Sequence, residues 1–551
     1  MQKIDWENEI QAGLDFRKKM AHEDKWEQWR EYYRGDKTPE LLKQASIVQV
    51  NIMFSVAKTF VSRLYYRNPR VRVLPTRANL VDSARILEYI DEGIMSDAEL
   101  DMKTTFKLAM QDGFLYGTGI VTYGYQQSKN VGPDTTKKKG KPWIDRVKTE
   151  DFVVPYGCQS ILDAPWAARR VIIPMWEFKE DKRFKNKRGV EGNYRYGMRD
   201  MNYSNIGSGG HHTPDLLAYW EIHDAKNKEV LCLTCNEFKE IYKGEDELQK
   251  MTNQLPFIPI VYNSDGDQFW GIPYSLYLAP KQAELNEVRT QMMLHRKAAL
   301  LKFGYNKAKL DENAIANFTS GTIGIGFPVD GDPATALTMF QPHTPPEFIN
   351  NAEYILKEVR ELVGLSRNEF GEFEGSAATR RTAEEVATVR AAGQLRSSDP
   401  RDSISKAVVS VIRNVNEILF KKWNTPFEMP FAFGDGSEQW VSINFNKLKG
   451  DYTYKVVLED TTPLSSAMRR QEVLGLIEVL SKVSPQIFSQ NPKEVLELLT
   501  RDYPDIDVSR LMGQDNGNLR VSMQDMQGGP GQVPGGASPQ MGAMPQMQNQ
   551  G

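Results

Sequence analysis

The chain has 551 residues, 40% of them hydrophobic, and a formal net charge of -3. That length allows several packed cores, while the balanced charge excludes a general basic field for tight nucleic-acid binding. Three cysteines exclude a disulfide framework, no stretch approaches the roughly 18 apolar residues of a membrane span, and the N-terminus lacks a signal-peptide core. We therefore expect a protein kept in the cytoplasm or in a particle assembled there.

Helical and strand patterns are mixed in the first half of the chain, which predicts an α+β fold. Predicted helices cover 5–34, 51–64, 80–96 and 99–116. Predicted strands cover 71–74, 120–123, 143–147, 170–173, 216–222, 230–233 and 257–261.

Two amphipathic helices follow, one from near Pro280 to Gly304 and one from Pro345 to Gly364. At 1.5 Å per residue each reaches roughly 28 to 35 Å, so they match as the two arms of a hairpin. Their apolar positions recur at steps of three and four and predict packing through Leu285, Val288, Met292, Ile355, Val359 and Leu362. Between the arms, apolar residues alternate with glycine over Thr322–Asp330, which predicts a small β element at the far end. So thin an apolar stripe also predicts lateral packing against copies of the same chain.

After the hairpin a helix is predicted over 379–423, interrupted at Ser397–Pro400 because proline disfavours α geometry in the residue before it. A strand at 452–458 is expected to return to the sheet of the first half. Short helices are predicted over 464–512, and the Gly/Pro/Gln/Met-rich stretch from 516 is expected to be disordered.

No motif indicates catalysis, a cofactor or a metal. The glycines at 113, 117, 119 and 124 follow a helix and no Gly-Lys-Ser/Thr comes after them, so they predict a helix-to-strand turn rather than a phosphate loop. Cys232 and Cys235 lack two further ligands at zinc spacing and predict a packed strand end. The basic runs at 137–141 and 179–188 lack interleaved aromatic residues and predict solvated loops.

Several segments, in this order and separation, resemble the portal proteins of tailed bacteriophages. They are Arg63-Leu-Tyr-Tyr-Arg-Asn-Pro69, Gly113-Phe-Leu-Tyr-Gly-Thr-Gly119, Phe269-Trp-Gly-Ile-Pro273 with Gln282-Ala-Glu-Leu-Asn286, Gly364-Leu365, and Gly450-Asp-Tyr-Thr-Tyr454 through Asp460. The resemblance covers about residues 1 to 512.

The resemblance implies a portal fold with named parts. The wing comprises 1–274 and 380–462, and its second segment includes a long kinked helix. The other parts are two stem helices (275–303 and 346–365), a clip (304–345), a tunnel loop (366–379), a helical crown (463–515) and a disordered tail (516–551). In such a protein the tunnel loop projects into a DNA channel, and the residues here at that position are Arg367, Glu369, Glu372, Glu374, Arg380 and Arg381.

A portal subunit is also implied to form a ring of about twelve copies at one capsid vertex of a virion. Its implied partners are the terminase large subunit, a head-to-tail adaptor, the major capsid and scaffolding proteins, and double-stranded DNA that passes without sequence specificity. Two alternatives stay open: a nucleic-acid-processing or packaging enzyme of the same phage system, and a structural head-tail adaptor that is not a portal.

Overall fold

The structure is a computed structural model and has the α+β architecture that the sequence predicts. It describes residues 5–36, 47–95, 100–126, 140–194, 215–298, 302–319, 328–340, 347–364, 398–423, 427–432, 438–443 and 445–457, together with Gly475 and Glu478. The chain divides into two compact units: residues 1–427 with 443–463, and residues 428–442 with 464–551.

The N-terminal helical prediction is confirmed, with a break in the middle. Helix α1 spans Trp6–Met20 and is capped by Asp5, whose carboxylate accepts from the backbone N–H of Asn8. Helix α2 spans Trp26–Arg34 and ends at Gly35, whose φ of 78° only glycine adopts readily. A short 3₁₀ turn separates the two helices.

Three more helices and a two-stranded antiparallel ribbon belong to the predicted first part of the body. The helices are α3 (Ile52–Leu64), α4 (Val81–Ile94) and α5 (Met102–Tyr116). Strand β1 (Arg70–Pro75) pairs antiparallel with β14 (Tyr452–Val457), so the predicted return of the chain to the body is confirmed.

A three-stranded sheet follows α5. It has the order β3-β2-β9, with β2 (Thr118–Gln126) between β3 (Lys141–Val147) and β9 (Phe257–Val261). The glycine-rich stretch before β2 is the predicted helix-to-strand turn. Gly117 has a φ of 92°, and a Cβ there would lie 2.0 Å from the carbonyl oxygen of Gly271. Glycine is therefore required at this turn.

A five-stranded antiparallel sheet forms the second core of the body. Its strands are β4 (Phe152–Val153), β5 (Trp166–Pro174), β6 (Leu216–Asp224), β7 (Glu229–Thr234) and β8 (Glu240–Glu245), and the short helices α6 (Met175–Glu180) and α7 (Glu247–Thr252) lie in its connections. One cluster on this sheet contains Ile10 and Trp220, and another contains Phe178 and Phe184. Cys232 belongs to the second cluster, which agrees with a packing role. The basic run at 179–188 is, as predicted, an exposed loop after α6, and Phe184 alone is buried in the second cluster.

Four charged side chains form a network in this sheet, in which His223 and Asp246 are buried and Arg169 and Glu221 are half-buried. Arg169 on β5 pairs with Glu221 on β6, and Nδ1 of His223 lies 2.5 Å from a carboxylate oxygen of Asp246. Nε2 of His223 lies 3.9 Å from Glu221. Asp246 also caps α7 by accepting from the backbone N–H of Gln249 at 3.0 Å. The network therefore joins two strands to a helix start.

The long helix after the hairpin, α11, spans Ser398–Lys422 and packs on β9. Pro400 lies in its first turn, where the missing N–H needs no partner. Residues 398–400 are the first turn of α11, and the predicted interruption before them stays a prediction because 379–397 lie outside the described residues.

The remaining described elements are few. Helix α12 spans Phe445–Leu448. Strands β12 (Phe427–Ala432) and β13 (Glu438–Ile443) form a two-stranded sheet that falls mainly in the second compact unit. The expected second part of the body, 380–462, thus contains a segment that groups with the C-terminal unit. Apart from Gly475 and Glu478, the expected crown and tail lie outside the described residues.

One buried polar group ties α11 to the first part of the body. Asp91 on α4 is 1% exposed, and its carboxylate accepts from the side-chain amide of Asn416 on α11 at 3.1 Å. The same amide donates to the hydroxyl of Tyr454 on β14. Burial raises the pKa of Asp91 well above its ordinary value, and the Asn416 hydrogen bond only partly offsets that rise.

Candidate functional site: the helical hairpin

Two antiparallel helices form the hairpin that the sequence predicts. Helix α8 spans Ser275–Ala298 and α10 spans Glu347–Val363. Lys281 near the start of α8 lies 2.6 Å from Glu358 near the end of α10, which fixes their antiparallel register. Two predicted boundaries are corrected. Pro280 lies inside α8 rather than at its first position, and Gly304 lies in a strand rather than capping the helix.

The inner part of the hairpin packs through the predicted stripe, with one exception. Leu285, Val288, Ile355 and Val359 are buried, and Met292 is half-buried. Leu362 is instead exposed, whereas Val363 is buried. The stripe on α10 advances in steps of four, from 355 to 359 to 363, and Leu362 falls one position off that row.

A polar ladder, which the sequence analysis missed, fastens the inner half of α8 to the body. Side-chain oxygens of Gln282, Asn286 and Thr290 accept from the backbone N–H groups of Met53, Val50 and Val48 at 3.0, 2.8 and 3.0 Å. The three acceptors recur every four residues and so lie on one helix face. We call residues 47–53 the strap. Three polar residues at this spacing within an apolar stripe were the signal in the sequence.

The outer half of the hairpin is only partly covered. Between Arg289 and Lys297 no described side chain of α8 is buried. Large apolar side chains nevertheless lie on the surface of both helices: Leu294 is 48% exposed, Ile349 48%, Tyr354 65% and Leu362 46%. They lie at separate positions along the hairpin, where copies of the chain could cover them.

An open groove of about 640 Å³ lies at the base of the hairpin. Tyr274, Tyr277 and Leu278 line it from the start of α8, and Leu362 and Val363 line it from the end of α10. Tyr277 is 48% exposed. The groove therefore adds to the apolar surface of the hairpin on the side nearest the body.

A small tip connects the two helices. Strand β10 (Lys302–Tyr305) pairs antiparallel with β11 (Leu337–Phe340), and α9 (Glu312–Thr319) lies between them in sequence. Leu310, Ala314 and Ala336 form a small core of their own. A β element at this end is thus present, but its strands flank the predicted position, and 320–327 within Thr322–Asp330 lie outside the described residues.

The candidate channel residues are not described. Arg367, Glu369, Glu372, Glu374, Arg380 and Arg381 all lie within 365–397, so their placement stays a prediction. Among the residues that are described, no three His, Cys, Asp or Glu side chains are placed to hold a metal ion. In the same part of the chain, no helix is long and apolar enough to cross a bilayer.

Neither a scan against protein-family models nor a search of the curated proteins returned a match for this chain. What the hairpin does must therefore be argued from its own geometry and from the sequence.

Proposed function

We propose that this protein is a portal subunit of a tailed bacteriophage, one of about twelve copies in a ring through which double-stranded DNA is packaged and ejected. The observation that carries the proposal is the helical hairpin with a small β tip, followed in the chain by the long helix α11. In this reading the hairpin is the stem, the tip is the clip, and the α+β body is the wing.

The exposed apolar residues of the hairpin support assembly from copies of the chain. Four large side chains lie about half exposed on two otherwise polar helices. Covering the exposed part of each stabilises an assembly by about 1 kcal/mol, since full burial of such a side chain is worth about 1.5 to 3 kcal/mol. A heterologous contact between neighbours repeats that gain at every interface of a closed ring.

The tip supports docking rather than chemistry. Its small core joins a two-stranded ribbon to one short helix, and a two-stranded ribbon is only marginally stable alone. In a portal this end binds the terminase large subunit during packaging and then the head-to-tail adaptor. The other partners are the major capsid and scaffolding proteins, and the ring is a part of the virion assembled in the host cytoplasm. Its action is geometric and electrostatic, and the proposal includes no catalytic step.

The test is the mass of the purified protein, measured by native mass spectrometry. We expect a ring of about twelve chains. A variant with Ile349→Ser, Tyr354→Ser and Leu362→Ser should remain monomeric yet keep the circular dichroism spectrum of wild type, because these side chains pack little within the chain.

A matched control removes exposed apolar residues elsewhere. Leu162 and Trp176 are 75% and 65% exposed in the body, and Leu162→Ser with Trp176→Ser should leave ring formation intact. A monomeric wild-type protein at micromolar concentration, or rings unaffected by the hairpin triple variant, would refute the proposal.

A further inference from the structure

The ribbon of β1 and β14 leaves one strand edge unpaired. Thr76, just after β1, donates its backbone N–H to the carbonyl oxygen of Asp451, which marks these two residues as a hydrogen-bonded pair. Hydrogen-bonded and non-hydrogen-bonded pairs alternate in an antiparallel ladder, so Tyr452, Tyr454 and Val456 direct their backbone groups away from β1. In the described part of the chain, none of these N–H and C=O groups has a hydrogen-bond partner. We call this side of β14 the open edge.

The opposite edge of the ribbon, on β1, is covered. The backbone N–H of Val73 points outward there, and the carboxylate of Glu88 on α4 accepts from it at 2.7 Å. Pro75 also occupies an outward position, where its missing N–H needs no partner. Proteins cover or charge such edges because an unpaired strand edge recruits another strand. The ribbon is therefore protected on one side only.

A cleft of about 480 Å³ lies between the open edge and α11. Tyr452 and Tyr454 line it from β14, and Arg413, Glu417 and Phe420 line it from α11. The rings of Phe420 and Tyr452 stack with their centroids 6.4 Å apart. Neighbouring strands lie about 4.8 Å apart, so a third strand beside β14 would enter this cleft. Its inward side chains would meet the two stacked rings.

The outer face of the ribbon is positively charged. Arg72 on β1 and Lys455 on β14 are directly opposite each other, and both are exposed. Like charges at such positions destabilise a sheet, and within the described residues neither side chain forms an ion pair. The fold itself does not account for this pair of charges, whereas carboxylates on a neighbouring strand would neutralise them.

The cleft has a smaller excess of positive charge. Its lining includes three cations, Arg413, Lys421 and Lys449, and two carboxylates, Glu417 and Asp451. Lys421 donates to main-chain carbonyl oxygens of α7. Arg413 and Lys449 form no ion pair with any part of the chain that the structure describes. Both sides of a strand added at the open edge would therefore meet unpaired cations.

We propose that the open edge accepts an extended acidic segment of a partner protein as a third strand. Main-chain hydrogen bonds to Tyr452, Tyr454 and Val456 supply the affinity, and the surrounding side chains supply the specificity. Successive side chains of a strand point to opposite faces. The segment that fits alternates apolar residues, which face the cleft, with carboxylates, which face Arg72 and Lys455. This interaction goes beyond the proposed ring and does not depend on it.

The test measures binding of a labelled peptide to the full-length protein by fluorescence anisotropy. The peptide has about eight residues, a usual strand length, and alternates valine with glutamate. Val456→Pro should weaken binding about tenfold, because proline removes an outward N–H and no hydrogen bond to β1. Val456→Ala is the matched control, since it keeps that N–H, and should bind within about twofold of wild type.

A second pair of variants tests the charge. Arg72→Gln with Lys455→Gln should weaken binding about fivefold and reduce its dependence on salt. Lys182→Gln with Lys185→Gln removes the same charge from an exposed loop elsewhere and should change neither. Equal losses in the two double variants would overturn the choice of an acidic segment, as would equal binding of a peptide that alternates valine with lysine.

Two measurements on the wild-type protein need no variant to fold. A peptide that alternates proline with glutamate has the same charge but lacks half of the N–H donors, and it should bind about tenfold more weakly. Amide hydrogen exchange at 452–456 should slow when the valine–glutamate peptide binds. Equal binding of the proline peptide, or unchanged exchange at 452–456, would overturn strand addition.

The mass of each variant separates this inference from ring formation. Val456→Pro should assemble as wild type does. If it fails to assemble while keeping the circular dichroism spectrum of wild type, and wild type binds no peptide at about 1 mM, a second copy of the chain covers the open edge and the inference is overturned.

Discussion

Replacing His223 with glutamine is the most direct test of how the five-stranded sheet is held to α7. His223 is 5% exposed and lies between the carboxylates of Asp246 and Glu221. Glutamine can still donate to Asp246 but carries no charge. The change therefore leaves the buried carboxylate of Asp246 and the half-buried one of Glu221 with only Arg169 as a cationic partner in the network.

The expected cost is large. Removing one partner of a buried ion pair destabilises a protein by about 3 to 5 kcal/mol, against a typical total stability of about 5 to 15 kcal/mol. Asp246→Asn is the matched partner change, because asparagine also caps helices and so preserves the start of α7. If the two residues act as a pair, the double variant should lose less stability than the sum of the single losses.

The pH dependence follows from the direction of each pKa shift. Burial alone would lower the pKa of His223, but its contacts with Asp246 and Glu221 raise it overall. The stability it contributes is therefore complete below the ordinary histidine pKa and is lost as pH rises through the raised value. Burial opposes ionisation of Glu221, but Arg169 and His223 hold its pKa below the ordinary range, so its contribution is lost only in acid.

We would measure urea unfolding of wild type and His223→Gln across a pH series that starts below the ordinary histidine pKa and extends well above it. The difference in unfolding free energy should be largest at the lower pH and shrink at the higher one. Hydrogen exchange of 246–252 should quicken in the variant at the lower pH. Equal urea midpoints at the lower pH, or a difference that grows with pH, would show that the histidine is not held as a cation.

Three further changes test other parts of the fold. Asp91→Asn should raise the free energy of unfolding at neutral pH but leave it little changed near pH 4, because the raised pKa of Asp91 makes wild type lose stability as pH rises toward that pKa. Urea unfolding from acid to neutral pH checks this. Asn416→Ala, which removes the hydrogen bond to Asp91, should destabilise the protein. Gly117→Ala should cost at least about 2 kcal/mol in chemical unfolding, whereas Gly157→Ala, also at positive φ but with nothing within 4 Å of its Cβ, should cost less. Ile355→Ala should cost about 2 to 5 kcal/mol, measured by thermal unfolding under conditions that keep the chain monomeric.

Local sequence signals were sufficient to predict most helices and strands of the body. The helix ends at Gly35 and Gly117, the strand returning at 452, and the α+β class all followed from caps, glycines and periodicity. Short elements with weak patterns were missed, including β4, with two residues, and β8, whose exposed edge carries mostly polar residues.

Tertiary contacts determine which residues of a helix are buried, and a local sequence pattern does not contain that information. Leu362 fits a helical stripe in sequence, but the row that packs runs through Val359 and Val363, because the crossing of α8 and α10 selects steps of four. Pro400 lies in the first turn of α11, where it costs no hydrogen bond, so the proline is compatible with a helix that begins at Ser398.

The strap has a mechanical consequence for the hairpin. Its three hydrogen bonds come from main-chain N–H groups, so the side chains of Val48 and Val50 can vary while proline at either position cannot be accommodated. The last rung of the ladder is at Thr290. Up to that residue the ladder holds α8 to the body, and we expect any bending of the hairpin to begin beyond it.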